Sequence, residues 1–294
     1  MEDSILTTLL LPAALAIIMI SLGLELTRAD FRRVVQEPRG VTIGLVNLVL
    51  ISPALAFWIA ELFDLPAGLA VGLVLLGASP GGTMANVLTH LARGDTALSV
   101  TMTAISSLAA AITVPLFLEL ASRHFDAQAL VGDVSMGGVV ARVFLITLVP
   151  VAIGMTIRDR WPEWTANARP HVAKVAAGLF LLVVVGAVAA EHEKALDNLG
   201  EVAGAALALN VAAMTVSFTV SKLARLDDRR ATAIALELGV HNATLAIAVG
   251  ASLATVLTIP AAVYAMFMFI TGGLFAKAMH RRNTRAAARA PAAV

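Results

Sequence analysis

Long apolar stretches separated by short charged ones run the length of the chain. Each apolar stretch, of about 17 to 25 residues, can cross roughly 30 Å of hydrocarbon as a helix. The pattern predicts nine spans, near residues 5–26, 40–60, 66–92, 96–120, 137–157, 172–190, 200–221, 231–253 and 259–279. The expected fold class is therefore an all-α polytopic membrane protein. The connecting segments alternate in charge. "TRADFRRVVQEPRG", "RDRWPEWTANARPHVAK", "SKLARLDDRR" and "KAMHRRNTRAAAR" are basic, whereas "ELFDLP" and "EHEKALDN" are acidic on balance. With alternating sides, all of the 21 Lys and Arg except Arg123, Arg142 and Lys194 share one face of the membrane. The positive-inside rule then puts the C-terminus in the cytoplasm and the N-terminus outside, in a multi-pass protein of the inner (plasma) membrane. An eight- or ten-span reading would scramble that asymmetry.

Composition agrees with the pattern. The 294 residues are 59% hydrophobic and 14% charged, too apolar for a soluble domain whose outer layer must face water. Glu2 and Asp3 precede the first apolar run, so it reads as a retained span rather than a cleaved signal. The absence of cysteine excludes disulfides, thiolate metal sites and thiol nucleophiles. The net charge of +1 says nothing useful about partners, since its distribution matters more than its sum; no nucleic acid, obligate protein partner or organic cofactor is expected. The terminal "TRAAARAPAAV" is of low complexity, so residues 280–294 are expected to be a disordered cytoplasmic tail.

One span contradicts its own helix. "GASPGGTMANVLTHLARGD" (77–95) places Pro80, Gly81 and Gly82 at mid-membrane depth and then resumes as helix. Proline removes a donor and glycine adds freedom, and freed backbone groups are tolerated in a bilayer only against protein or water. A kinked span packed through Gly77-x-x-x-Gly81 is the alternative reading. The eighth span, "ATAIALELGVHNATLAIAVGA", carries Glu237, Gly239, His241 and Asn242 near its middle. A carboxylate at that depth costs about 3 kcal/mol or more unless compensated. Spans 3 and 8 occupy corresponding places in two blocks of opposite direction, the sequence signature of a secondary-transporter site at paired helix breaks. Each resuming half-helix would direct its amides at an anion. The free carbonyls, with Glu237, Asn86 and the Ser99 and Thr103 pair at i, i+4, would suit a hard cation such as sodium. Hydrogen bonding of Ser99 and Thr103 back to their own helix is the simpler alternative for those two.

These residues resemble the bile acid:sodium symporter family. The likeness rests on "SPGGTMANVLTHLARGDTALSVTMTAISS" (79–107), "ELGVHNATLA" (237–246) and "IIMISLGLELTRADF" (17–31), and extends over essentially the whole chain. It implies an inverted-repeat transporter with two crossed discontinuous helices, in a nine-span form lacking the family's first helix. A core domain (40–120 and 200–279) would move against a panel domain (1–26 and 137–190). The resemblance assigns one sodium site to Asn86, Ser99, Thr103 and Glu237, and substrate contacts to Thr83, Asn86 and Asn242. Ala85 stands where the family commonly has Ser. A second sodium site sharing Glu237 would use His241, where the family has Gln. Leu48, next to Asn47, stands at that site's other Gln position. A neutral imidazole matches sodium poorly, so a Glu237–His241 pair carrying a proton, or a histidine hydrogen-bonded within the core, are alternatives.

The implied activity is sodium-coupled symport of an organic anion, bile acid-like or a small carboxylate, by alternating access, with sodium ions as the only metal. Proton-coupled or uncoupled anion transport is the alternative. An intramembrane enzyme using Glu237 and His241 as acid and base lacks the remaining groups of any recognisable catalytic set.

Overall fold

Apart from one isolated β-bridge, helix is the only regular structure in the computed structural model, which describes residues 11–131, 136–190 and 199–289. Glu2, Asp3, Lys194 and the "EHEKALDN" connection lie outside the described residues. Helix α1 (Leu11–Glu25) is followed by the short amphipathic α2 (Arg28–Gln36), bent 61° away from it. The bend is fixed by Thr27, whose N–H and hydroxyl both donate to the Asp30 carboxylate at 2.7 Å, at the first turn of α2. Helix α3 (Pro38–Val46) passes through a π-helical turn, Asn47–Ile51, into α4 (Ser52–Leu62). Pro53 has no N–H for the carbonyl four residues back, and Ser52 instead donates its N–H to Asn47, five residues back.

Helices α5 (Ala67–Gly77) and α6 (Thr83–Leu91) are the two halves of one interrupted segment, and α7 (Thr96–His124) follows. A single turn at Gln128–Val131 precedes α8 (Met136–Arg160) and α9 (Pro162–Ala190). Then come α10 (Leu199–Leu223), the second interrupted pair α11 (Asp228–Gly239) and α12 (Ala243–Ala251), a 3-10 turn at Thr255–Thr258, and α13 (Ile259–Arg289). Five helical stretches among the described residues are long and apolar enough to cross a membrane, or six if the bent α1–α2 pair is one span. The expected spans at 66–92 and 231–253 are each split at their centre. The chain is a multi-pass, all-helical membrane protein.

The interrupted pairs occupy the middle of the molecule. Every residue from Gly68 to Gly77 is buried, and so is every residue from Ala231 to Gly250. Helices α5 and α12 are apolar all round, which is the pattern of a segment enclosed by other helices. Small residues permit the closeness. A Cβ on Gly77 would lie 2.7 Å from that of Ala56 on α4. On the opposite wall, α1 and α8 touch through Gly23 and Gly154, where a Cβ on Gly154 would lie 2.9 Å from Gly23 Cα.

Two expected connections are helical. The segment around "RDRWPEWTANARPHVAK" continues α8 to Arg160 and starts α9 at Pro162. Proline at the first helical position and Glu163 in the first turn favour that start. The tail expected to be disordered from residue 280 instead extends α13 to Arg289. Its Ala- and Arg-rich sequence has high helix propensity. The extension is also anchored: the His280 Nδ1–H donates to Leu91 O at 2.7 Å, Asn283 Nδ2 donates to Ala92 O at 2.9 Å, and Arg282 pairs with Asp228 at 2.7 Å. Residues 290–294 lie outside the described residues.

Asp228 also pairs with Lys222 at 2.6 Å. Burial pushes its carboxyl up, but the hydrogen bonds and charges of Arg282 and Lys222 outweigh this and hold it below the usual carboxylate range. A carboxyl depressed on folding stabilises the protein above its unfolded pKa of about 4, and that contribution is lost as pH falls through the folded value. In detergent, Asp228→Asn is therefore expected to lower Tm at neutral pH. The gap from wild type should close on acidification below about pH 4. Equal melting curves at neutral pH would remove Asp228 from the anchorage of α13.

Candidate functional site

The two interruptions meet. Between α5 and α6, Pro80 supplies no N–H, and between α11 and α12 the helix is interrupted at Val240–Asn242. Gly81 and His241 pair as a short antiparallel bridge. Gly82 N–H donates to Val240 O and Asn242 N–H donates to Pro80 O, both at 2.8 Å. The carbonyls at the helix ends are met by side chains. Gly77 O accepts from Ser52 Oγ at 2.8 Å. Gly239 O accepts from Asn210 Nδ2 at 2.7 Å and from Tyr264 Oη at 3.0 Å. Thr271 in turn donates its hydroxyl to Asn210. Ser52, Asn210, Tyr264 and Thr271 went unremarked in the sequence. The Ser52–Pro53 pair within an apolar span was the signal for the first, since it marks the π turn that aims Ser52 at the break.

Four of the expected cation ligands converge on one side of this bridge. Glu237, fully buried near the end of α11, accepts at Oε1 from Ser99 Oγ at 2.6 Å and from Thr103 Oγ1 at 2.9 Å. Thr103 Oγ1 also lies 3.3 Å from Asn86 Oδ1 and 3.1 Å from Ser99 O. Back-bonding and contact with the carboxylate thus coexist at Thr103, while Ser99 is committed to Glu237. The other carboxylate oxygen, Oε2, is buried with no hydrogen-bond partner among the described residues. It lies against Gly81, where any Cβ would collide with it. A hydroxyl that donates to a carboxylate still has lone pairs free. The cluster therefore presents only oxygens to a cation: an orphaned carboxylate oxygen, two hydroxyls and an amide carbonyl. That donor set fits a hard ion such as sodium.

His241 does not join them. Its Nδ1 lies 3.1 Å from Ser79 O and its Nε2 lies 3.0 Å from Ser52 Oγ. With both ring nitrogens so engaged, the Glu237–His241 pair envisaged from sequence does not form. The run Ser79 O, imidazole, Ser52 Oγ, Gly77 O has a carbonyl at each end, and carbonyls only accept. A neutral imidazole leaves one of the three links without a proton, whereas an imidazolium completes all three. Leu48 is buried, and Asn47 Oδ1 beside it is buried and without a hydrogen-bond partner among the described residues.

On the other side of the bridge lies a cavity of about 330 Å³. Thr83 and Asn242, at the starts of α6 and α12, form part of its wall, together with Gly82 and Thr244. Asn242 caps α12, its Oδ1 accepting from Leu245 N–H at 3.1 Å. Helices α1, α9 and α13 complete the wall, mostly with apolar side chains such as Leu22, Phe180 and Met268. Asn86, expected in both roles, faces Thr103 and is not part of the cavity wall. Gly239 ends α11 but faces Met214 rather than the cavity.

Comparison with known proteins identifies the family. The family model for the sodium bile acid symporter family matches residues 12–198. The sodium-dependent transporter YocS of Bacillus subtilis is 32% identical over 268 residues, 89% of this chain and 80% of its own. A chloroplastic sodium/metabolite cotransporter of rice is 29% identical, covering 92% of this chain but only 64% of the longer plant protein. The human ileal sodium/bile acid cotransporter is 28% identical over 82% of this chain and 69% of its own length. These relatives are named as transporters, not enzymes. The chain belongs to the sodium bile acid symporter family.

Proposed function

We propose that this protein is a secondary active transporter coupling the entry of sodium to that of an organic anion by alternating access. The observation that carries the reading is the buried Glu237 carboxylate beside the helix breaks: Oε1 meets the hydroxyls of Ser99 and Thr103, with Asn86 Oδ1 next to Thr103, and Oε2, against Gly81, has no hydrogen-bond partner among the described residues. An uncompensated charge there is expensive, and a bound cation offsets it. The anion is held across the bridge by Thr83, Asn242 and the amide ends of α6 and α12, whose dipoles favour negative charge. Nine spans with the N-terminus outside and the C-terminus in the cytoplasm of the inner membrane agree with the charge asymmetry. The interrupted helices cross within a core formed by residues 40–120 and 200–279. The panel, residues 1–26 and 137–190, moves against that core.

The direct test is Glu237→Gln, which keeps shape and removes charge. Sodium-driven anion uptake into proteoliposomes should collapse, and sodium, which should raise the Tm of the wild-type protein, should leave that of the variant unchanged. Uptake at the wild-type rate under the same gradient would sink the assignment. A second substitution isolates geometry from charge. Gly81→Ala places a methyl group on Glu237 Oε2, so the apparent sodium affinity should fall by about tenfold or more, which corresponds to roughly 1.4 kcal/mol. An unchanged sodium titration in Gly81→Ala would show that the carboxylate does not need its observed place.

The hydrogen-bond run through His241 favours one sodium, rather than two, with a proton as the second coupling ion. Sodium titration of uptake should then follow a single-site curve. Exchange of His241 for Gln should alter the pH profile. A sigmoidal sodium curve in the wild type, or pH profiles that superimpose, would return His241 to a purely structural role.

A further inference from the structure

The cavity is built for an anion at one end, and the other end has a different chemistry. Helix α1 turns one face to it, with Ile18, Ser21, Leu22 and Glu25 at i, i+3, i+4 and i+7. Ser21 and Glu25 are one helical turn apart on this otherwise apolar stripe. Ser21 is only 8% exposed, and its hydroxyl has no hydrogen bond among the described residues. Glu25 forms no ion pair or hydrogen bond among them either. Arg158 and Arg169 act on it through longer-range charge alone, and neither lines the cavity. No Lys or Arg among the described residues lines the cavity.

The two ends are separated by a definite length. Asn242 Nδ2 lies 3.9 Å from Met19 Sδ, which fixes the anion-binding end at the level of Met19 on α1. Glu25 is six residues farther along the same helix, a rise of about 9 Å. A ligand seated with its carboxylate between Thr83 and Asn242 therefore meets apolar wall first and then a hydroxyl and a carboxylate that both lack partners. An ionised carboxylate only accepts hydrogen bonds and repels a second anion. A cavity of about 330 Å³ is also at the small end for ligand sites.

From this we infer the class of substrate, an inference that rests on the anion symport proposed above. The transported molecule is a small monocarboxylate whose far end carries a hydrogen-bond donor, a hydroxyl or an ammonium group, received by Glu25 and Ser21. Glu25 is the specificity residue: it selects against dicarboxylates and against acids with a bare hydrocarbon end. Hydroxyl and ammonium share the donor chemistry, and the experiment separates them.

The test uses the purified full chain in proteoliposomes under an inward sodium gradient. The probes are labelled butanoate, 4-hydroxybutanoate, 4-aminobutanoate and butanedioate, with the corresponding six-carbon acids as a second set. Wild type should take up the hydroxy or amino acid about tenfold better than the plain acid, with the dicarboxylate poorest. Glu25→Gln should lose that preference and gain uptake of the dicarboxylate. Its sodium-induced rise in Tm, which reports the Glu237 cluster, should persist and shows that the variant is folded. The wild-type ranking alone overturns the inference if the plain acid equals or exceeds its donor-bearing partners. Sodium-driven uptake with an unaltered ranking in Glu25→Gln overturns it too, and leaves the symport reading standing. Neither uptake nor binding of any probe also overturns it. In that case a sodium-induced Tm rise that is lost in Glu237→Gln shows that the coupling site survives the failure.

Discussion

Everything at the centre of this molecule depends on two broken helices satisfying each other's backbone. In hydrocarbon an unpaired amide or carbonyl costs several kcal/mol, so a single break in a buried helix is hard to sustain. Here the N–H of Gly82 finds Val240 O, and that of Asn242 finds Pro80 O. The carbonyls left over at Gly77 and Gly239 are met by Ser52 and by Asn210 with Tyr264. Neither interruption could persist without the other. Helices α4, α10 and α13 are therefore more than packing, because each delivers a donor that the breaks require. The π turn before Pro53 is part of the same economy, since it sets the register that brings Ser52 to Gly77.

Glycine makes the arrangement possible in a second sense. Gly81 leaves room for Glu237 Oε2, so a carboxylate can approach the bridge from α11 while the backbone of the other break passes beside it. Ser99 and Thr103 on α7 reach the same carboxylate from the opposite direction, and Asn86 on α6 joins through Thr103. Two consecutive helices and a third, distant in sequence, thus bring their oxygens to one point. The cluster exists because the breaks have brought α6 and α11 together.

Much of this was legible in the sequence, for identifiable reasons. Pro80-Gly81-Gly82 and Glu237 are violations of ordinary span chemistry, and violations are visible without a structure. The i, i+4 spacing of Ser99 and Thr103 fixed their common face in advance. What stayed hidden was the response of the surroundings. Asn210, Tyr264 and Ser52 are unexceptional residues in apolar spans, and only the fold shows that they face orphaned carbonyls. His241 was placed correctly at the break, but its partners come from other elements, and sequence proximity suggested Glu237 instead. The charged segment before residue 170 read as a connection because charge was taken for irregularity, and the tail after 280 read as disordered because its composition is of low complexity. Yet Arg, Glu and Ala favour helix, and partners such as Asp228 and Leu91 fix the tail's extension in place.

The geometry also gives a physical account of how cation and anion could be linked. The oxygen cluster and the cavity lie on opposite sides of one bridge, and the residues between them are few: Gly81 touches Glu237, and Gly82 and Thr83 already line the cavity. Without a cation, a negative charge sits beside the amides that begin α6 and opposes a second negative charge across the bridge. A cation at Asn86, Ser99, Thr103 and Glu237 cancels that field and restores the pull of the helix N-termini. It would also hold α6 to α7 and α11, fixing Thr83 and Asn242 in register. Linkage is reciprocal, so on the proposed symport an anion in the cavity would raise the affinity for sodium by the same factor. Coupling on this account needs no long-range relay, because both ligands are read by the same short piece of backbone.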